Sequence, residues 1–319
     1  FENAAKSNLK ILDTIQNTCL RIACGALRTS PITSLHAYNH VTPLHHRRAA
    51  QLLRYYFRVH NTYRHPCQGT LKKRARAKAK RVSTTIGRRL LKHARTYQID
   101  LTTHTAQHPP RSWWTYHEPP QTHLLLTQPK HTYTDVEITH TFREFLSHHP
   151  DHNIIYTDGS KHPTTQRTGA AAVLYNTSHN AQPHTIATAR LPDHSSVYTA
   201  ELFAIREAYA HIKLKSLHNN IIATDSKSST LSLSPHKASQ HPLLSQIMDM
   251  HHHLPNSQRP TILWIPGHRH IPGNIHADRL ANIATGLDHV TDCPLPTSDT
   301  FALIRQHINK TIQSEWDKS

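Results

Sequence analysis

Residues 154–160 read IIYTDGS, and the change of character at Asp158 decides how the second half of the chain is read. A short apolar run that stops at Asp-Gly-Ser is a buried strand closed by turn chemistry. Working downstream, 169–175 (GAAAVLY) and 184–191 read as two further strands, joined by turns at 162–168 and 176–183. Three antiparallel strands follow from these short connections. Residues 196–214 then form a helix with Leu202, Ile205, Ala208, Tyr209 and Ile212 inward, and 221–224 a fourth strand. A short helix at 226–234, a second at 242–253, a fifth strand at 262–265 and a helix at 274–286 complete the series. The expected fold class is α/β: a mixed five-stranded sheet flanked by helices.

Four acids occupy positions that such a sheet can use. Asp158 ends the first strand (156–160, YTDGS), and Asp225 ends the fourth (223–226, ATDS). Glu201 lies near the start of the long helix (198–202, YTAEL), and Asp278 on the last one (273–281, GNIHADRLA). A lone Asp after a strand is ordinarily a turn former, and Asp225-Ser226 would serve as a helix cap. Taken together, the four point to a site. The sheet sets Asp158 and Asp225 side by side, and Glu201 and Asp278 fall on or near the inward side of their helices, where an unpaired carboxylate is costly. Converging carboxylates repel one another unless a divalent cation neutralises them. Oxygen-only ligands favour Mg²⁺ or Mn²⁺ over zinc. Two such ions can activate a water and stabilise the leaving oxygen of a phosphodiester.

The segments TDGS, AEL, TDS and GHxxxxGNxxAD, in this order, resemble the signature of type 1 ribonucleases H. The resemblance covers roughly residues 152–286. It implies a ribonuclease-H-like fold and two-metal hydrolysis of the RNA strand of an RNA–DNA hybrid, leaving a 3′-hydroxyl and a 5′-phosphate. By motif, Asp158, Glu201, Asp225 and Asp278 match the family's metal-binding acids. His268, in WIPGH (264–268), matches its mobile histidine, which assists departure of product or proton. Two departures bear on substrate grip: KHPTT (161–165) follows TDGS where many relatives carry a Gly- and Asn-containing turn, and Ile275-His276 stand where relatives often have an acid. Among 32 histidines, His270 and His276 lie near the motif, and the run 251–253 points three ways from a helix and reads as structural or incidental.

The upstream half has a different balance. Residues 1–150 carry 23 Lys and Arg against 7 Asp and Glu, whereas 151–319 carry 14 against 13, so nearly all of the formal +17 lies upstream. That asymmetry predicts a surface for a polyanion, most simply nucleic acid. Between 71 and 95 there are eleven basic residues and no acid. The run reads either as a solvated helix face or as a phosphate-contacting segment. Residues 102–134, rich in Pro, His and Thr, read as a linker, with Trp113-Trp114 either packed on a neighbouring domain or stacking on bases. Four cysteines show no metal spacing and no disulfide framework, and no apolar run reaches membrane-spanning length, so an intracellular protein of nucleus or cytoplasm with no membrane partner is expected.

Helical stripes are expected over 6–24 (stopped by Gly25), from Pro31 to about 38, and from Pro43 through 60, with a further amphipathic helix over 300–318. The run over residues 8–60 is similar to the segment after the polymerase core in non-LTR, jockey-like retrotransposon reverse transcriptases, in which a ribonuclease H domain can follow. This resemblance implies a thumb or connecting module that contacts template and primer. No Tyr-x-Asp-Asp motif is present, so no DNA synthesis is expected, and a chain opening on Phe1 reads as a fragment of a polyprotein. The expected organisation is a helical module at 1–70, a basic segment and linker at 71–150, a ribonuclease H domain at 151–288 and a tail at 289–319. Two rivals stand beside this reading: a catalytically decayed nucleic-acid-binding module, and a ribonuclease-H-like fold acting on DNA.

Overall fold

The computed structural model describes residues 4–72, 86–102, 118–176, 183–233 and 241–318. Most of the basic run and the Trp113-Trp114 pair lie outside these residues. The chain divides into two compact units, Phe1–Pro110 with Thr297–Ser319, and Arg111–Pro296.

The first unit is helical: α1 (Lys6–Cys24), α2 (Ile32–Tyr38), α3 (Leu44–Asn61), α4 (Gln68–Lys72), α5 (Ile86–Thr96) and, from the far end of the chain, α11 (Thr297–Trp316). Gly25 ends α1 in the left-handed conformation expected of it, with φ of 63°. Pro31 and Pro43 are the caps of α2 and α3 rather than their first helical residues, so each helix starts one position later than the proline signal implies. The tail helix is part of this core. Ile304, Ile308 and Ile312 at i, i+4, i+8 join Leu53, Phe57 and Leu90 in one buried cluster.

The second unit is a six-stranded mixed sheet in the order β1-β6-β5-β2-β3-β4. Its strands are β1 (Thr122–Leu124), β2 (Asn153–Lys161), β3 (Thr168–Asn176), β4 (His184–Leu191), β5 (Asn220–Thr224) and β6 (Thr261–Trp264). Strands β2, β3 and β4 form the expected antiparallel set, and β5, β6 and β1 extend β2 in parallel. The sheet thus has one strand more than the five expected. The extra one, β1, is a three-residue edge strand from the Pro/His-rich stretch, held to β6 by Ile262 N–H to the Gln121 carbonyl (2.8 Å) and Leu125 N–H to the Trp264 carbonyl (3.0 Å). So short a strand is defined by its pairing and has no periodicity to read.

Alternation along β2 sorts the two faces. Ile155 joins the cluster of α7 (Val197–Lys215) and α9 (Pro242–His253), where Leu202, Ile205, Tyr209 and Ile247 are buried. Ile154 and Tyr156 face the opposite cluster, built with α6 (Asp135–Ser147) and α10 (Pro272–Ala284). Helix α6 was not expected from the sequence. A full capping box starts it, Thr134 with Glu137, and it buries Ile138 and Phe142. Helix α10 opens on Pro272, two residues before the expected start, so Gly273-Asn274 is its first turn and not a loop turn. The short α8 (Lys227–Ser232) follows β5, capped by Ser226, whose hydroxyl accepts from the Ser229 N–H. Among the described residues, no helix is long and apolar enough to cross a membrane.

Candidate active site

Parallel pairing of β2 with β5 sets Thr157 opposite Thr224, so Asp158 and Asp225 lie at the same level. Asp158 does not end its strand as expected, because β2 stays paired with β3 through Lys161, whereas Asp225 does follow the end of β5. Helix α7 brings Glu201 to the same point because its N-terminal turn lies directly against Gly159: a Cβ there would stand 2.7 Å from the Glu201 backbone nitrogen. Glycine is what lets strand and helix approach so closely. One carboxylate oxygen from each of Asp158, Glu201 and Asp225 lies within 4.8 Å of the others. Asp158 and Glu201 are each only 5% exposed.

Asp278 enters from α10. It is half-buried, stands outside this tightest group and is near enough to Asp158 for its charge to raise that carboxyl. Its orientation comes from Asn282 one turn on, whose Nδ2 donates to Asp278 Oδ1 at 3.2 Å and to its carbonyl at 3.0 Å. Ser160 Oγ in turn donates to Asn282 Oδ1 at 2.6 Å, tying α10 to β2. Asn274 Nδ2 donates to Asp225 Oδ2 at 3.3 Å. Nothing in the sequence marks Asn282, or Ser160 beyond its place in TDGS, as orienting an acid, because their contact depends on how α10 meets β2. Asn274 lies within the quoted GNxxAD pattern, which could have found it.

The electrostatics follow from crowding like charges under a low-dielectric cover. Burial, then the charges of Asp225 and Asp278, push the Asp158 carboxyl up to about 8. Glu201 is raised well above the usual carboxylate range by burial and by Asp158 and Asp225, although the Gly159 N–H and the Thr224 side chain pull the other way. Asp225 is raised by burial, against Asn274 and the charge of His268. Glu201 Oε2 is a buried oxygen with no hydrogen-bond partner. An orphaned buried carboxylate oxygen beside two more carboxylates fits a divalent cation: the donors are all hard oxygens, and a cation would remove both the repulsion and the missing bond.

His268 lies on the loop between β6 and α10, exposed, with a left-handed φ of 57°. Its neighbour Gly267 sits against Asp225, where a Cβ would fall 2.5 Å from Oδ2. The nearby histidines do other things. His276 Nδ1 meets Tyr175 Oη at 3.2 Å, His270 lies toward Asp135, and His251 Nδ1 is paired with Tyr209 Oη at 3.1 Å inside the core.

No curated protein matches the chain. Among solved structures, the N-terminal ribonuclease H domain of a Mycobacterium tuberculosis protein, solved as a fusion with maltose-binding protein, aligns over 42% of this chain and 98% of its own length, at 23% identity and a TM-score of 0.33. The RNase H family model matches residues 150–285, the stretch that carries all four acids and His268.

Proposed function

We propose that this chain is a ribonuclease H that hydrolyses the RNA strand of RNA–DNA hybrids by two-metal-ion catalysis, as part of a retrotransposon reverse transcriptase polyprotein. The observation that carries the reading is the cluster of buried Asp158 on β2, buried Glu201 on α7 and half-buried Asp225 just past β5, with an unpartnered Glu201 oxygen, within the residues that match the RNase H family. Asp158 and Asp225, with Glu201 and Asp278, would hold the Mg²⁺ (or Mn²⁺) ions. When bound, the ions lower the pKa of the attacking water and offset charge on the leaving oxygen. Asn274 keeps Asp225 oriented, and the Ser160–Asn282 pair does the same for Asp278. Glu201 would also read the RNA side near its 2′-hydroxyl, the group that separates RNA from DNA. His268, exposed beside Asp225, hands a proton to the departing 3′-oxygen.

The helical unit and the basic upstream half are proposed as the thumb- or connection-like part that holds nucleic acid, supported by 23 basic against 7 acidic residues over 1–150. The test is gel-resolved cleavage of a labelled hybrid with Mg²⁺, beside Asp158→Asn and an EDTA control. Wild-type protein should cut only the RNA strand, and Asp158→Asn should bind hybrid and cut at most about a thousandth as fast. Equal cutting by Asp158→Asn would refute the site. Salt-sensitive hybrid binding without cutting would replace the reading with the decayed binding module.

A further inference from the structure

The loop that carries His268 is gripped from an element upstream of the family match. The residues at its two ends, Ile265 and Ile271, are buried in the same cluster as Ile138 and Phe142 of α6. In its middle, Arg269 Nη1 is ion-paired with Asp135, and His270 Nε2 lies 3.6 Å from the other Asp135 oxygen. Arg269 Nη2 also reaches the Lys130 carbonyl at 3.5 Å. Asp135 is the first residue of α6, and the capping box fixes that helix end: Glu137 Oε2 accepts from the Thr134 N–H at 2.7 Å and from its hydroxyl at 2.8 Å. Three consecutive loop residues therefore have three anchors or tasks. Gly267 is pressed on Asp225, His268 stands exposed with a left-handed backbone, and Arg269 is tied to Asp135. A non-glycine residue holds such a backbone when its surroundings over-determine it.

Resting on the ribonuclease H reading, we propose that Asp135 is a positioning residue for His268: through Arg269 and His270 it holds the loop so that the imidazole stays beside Asp225. Residues 118–147 then belong to the working catalytic unit, although they precede the matched 150–285. The blander role, a surface ion pair that only adds stability, makes a different prediction. The side chains of Asp135 and Arg269 are 43% and 27% exposed, and pairs of this kind contribute little to global stability.

The experiment uses the full chain with Asp135→Asn, Arg269→Gln and their double variant, each in wild-type and His268→Ala backgrounds. Amide hydrogen exchange over residues 266–271 should quicken about 3-fold or more in both single variants, while the melting midpoint stays within about 2 °C. Hybrid cleavage should lose about 3- to 10-fold in kcat with little change in KM, the double variant should be no worse than either single, and Asp135→Glu should recover part of the loss. In the His268→Ala background the same changes should cost nothing further. Unchanged exchange in both single variants overturns the proposal whether or not the protein cuts. An equal kcat loss without His268 overturns it too, assigning the effect to general damage. A wild-type protein that does not cut fails the ribonuclease reading alone, and the exchange result still decides the tether.

Discussion

Removing one negative charge from the acid cluster should stabilise the metal-free fold while destroying its chemistry, and the pH dependence of that gain is fixed by the structure. Asp158 starts from an ordinary value of 3.8 in the unfolded chain and is pushed up to about 8 when folded. A carboxyl raised in this way favours the folded state only while protonated in both states. Its contribution is fully present below about pH 4 and is lost as pH rises towards 8. Each unit of separation is worth about 1.4 kcal/mol, so by pH 7 the metal-free protein has lost about 4 kcal/mol through this one group. Asp158→Asn cannot lose it. For a unit of this size about 1 kcal/mol moves the midpoint by roughly 2–4 °C. In EDTA, the variant should therefore melt about 8–16 °C or more above wild type at pH 8, and the gap should close to within about 2 °C at pH 4. Saturating Mg²⁺ should narrow this gap at pH 8 without closing it, since a cation held at 100 times its Kd adds about 2.7 kcal/mol to the wild type, less than the deficit, and still less to a site lacking an acid. Scanning calorimetry across pH, with and without Mg²⁺, checks all of this, following the transition that responds to the metal. A wild type as stable as Asp158→Asn at pH 8 in EDTA, and indifferent to Mg²⁺, would refute the crowded-carboxylate reasoning.

Three further outcomes follow from particular contacts. Gly267→Ala places a methyl 2.5 Å from Asp225 Oδ2, so hybrid cleavage should fall about 10-fold or more with circular dichroism unchanged; full activity would mean that the loop has slack. Ile138→Ala empties a fully buried position in α6 and should cost about 2–5 kcal/mol in urea unfolding; a cost under about 0.5 kcal/mol would remove α6 from the core of the sheet unit. Asn282→Ala frees Asp278 from its donor at 3.2 Å and should lower the cleavage rate about 3- to 10-fold, with Mg²⁺ affinity weakened in titration calorimetry.

What could be read from sequence divides along a physical line. The strand that carries Asp158, the one that ends just before Asp225, and helix α7 announce themselves through local apolar pattern, although β2 runs on past the Asp-Gly-Ser that reads as its end because β3 pairs with it through Lys161. Helix α6 was equally legible, since Thr134-x-x-Glu137 is a capping box followed by Ile138 and Phe142 at i, i+4; its Pro- and His-rich flank masked the signal. Strand β1 was not legible, because three residues make a strand only when β6 lies beside them. The candidate site divides in the same way. The acids stand out because they break the burial rule: Asp158 and Glu201 end up 5% exposed in a region whose other buried positions are largely apolar, and local rules fail where function overrides them. The residues that orient them break no rule. Ser160, Asn282 and Asp135 look like ordinary surface polar residues until α10 meets β2, and until Arg269 meets a side chain 134 positions away. Burial that conflicts with chemistry marks the reacting groups from sequence alone, whereas the groups that position them emerge only when the chain is closed on itself.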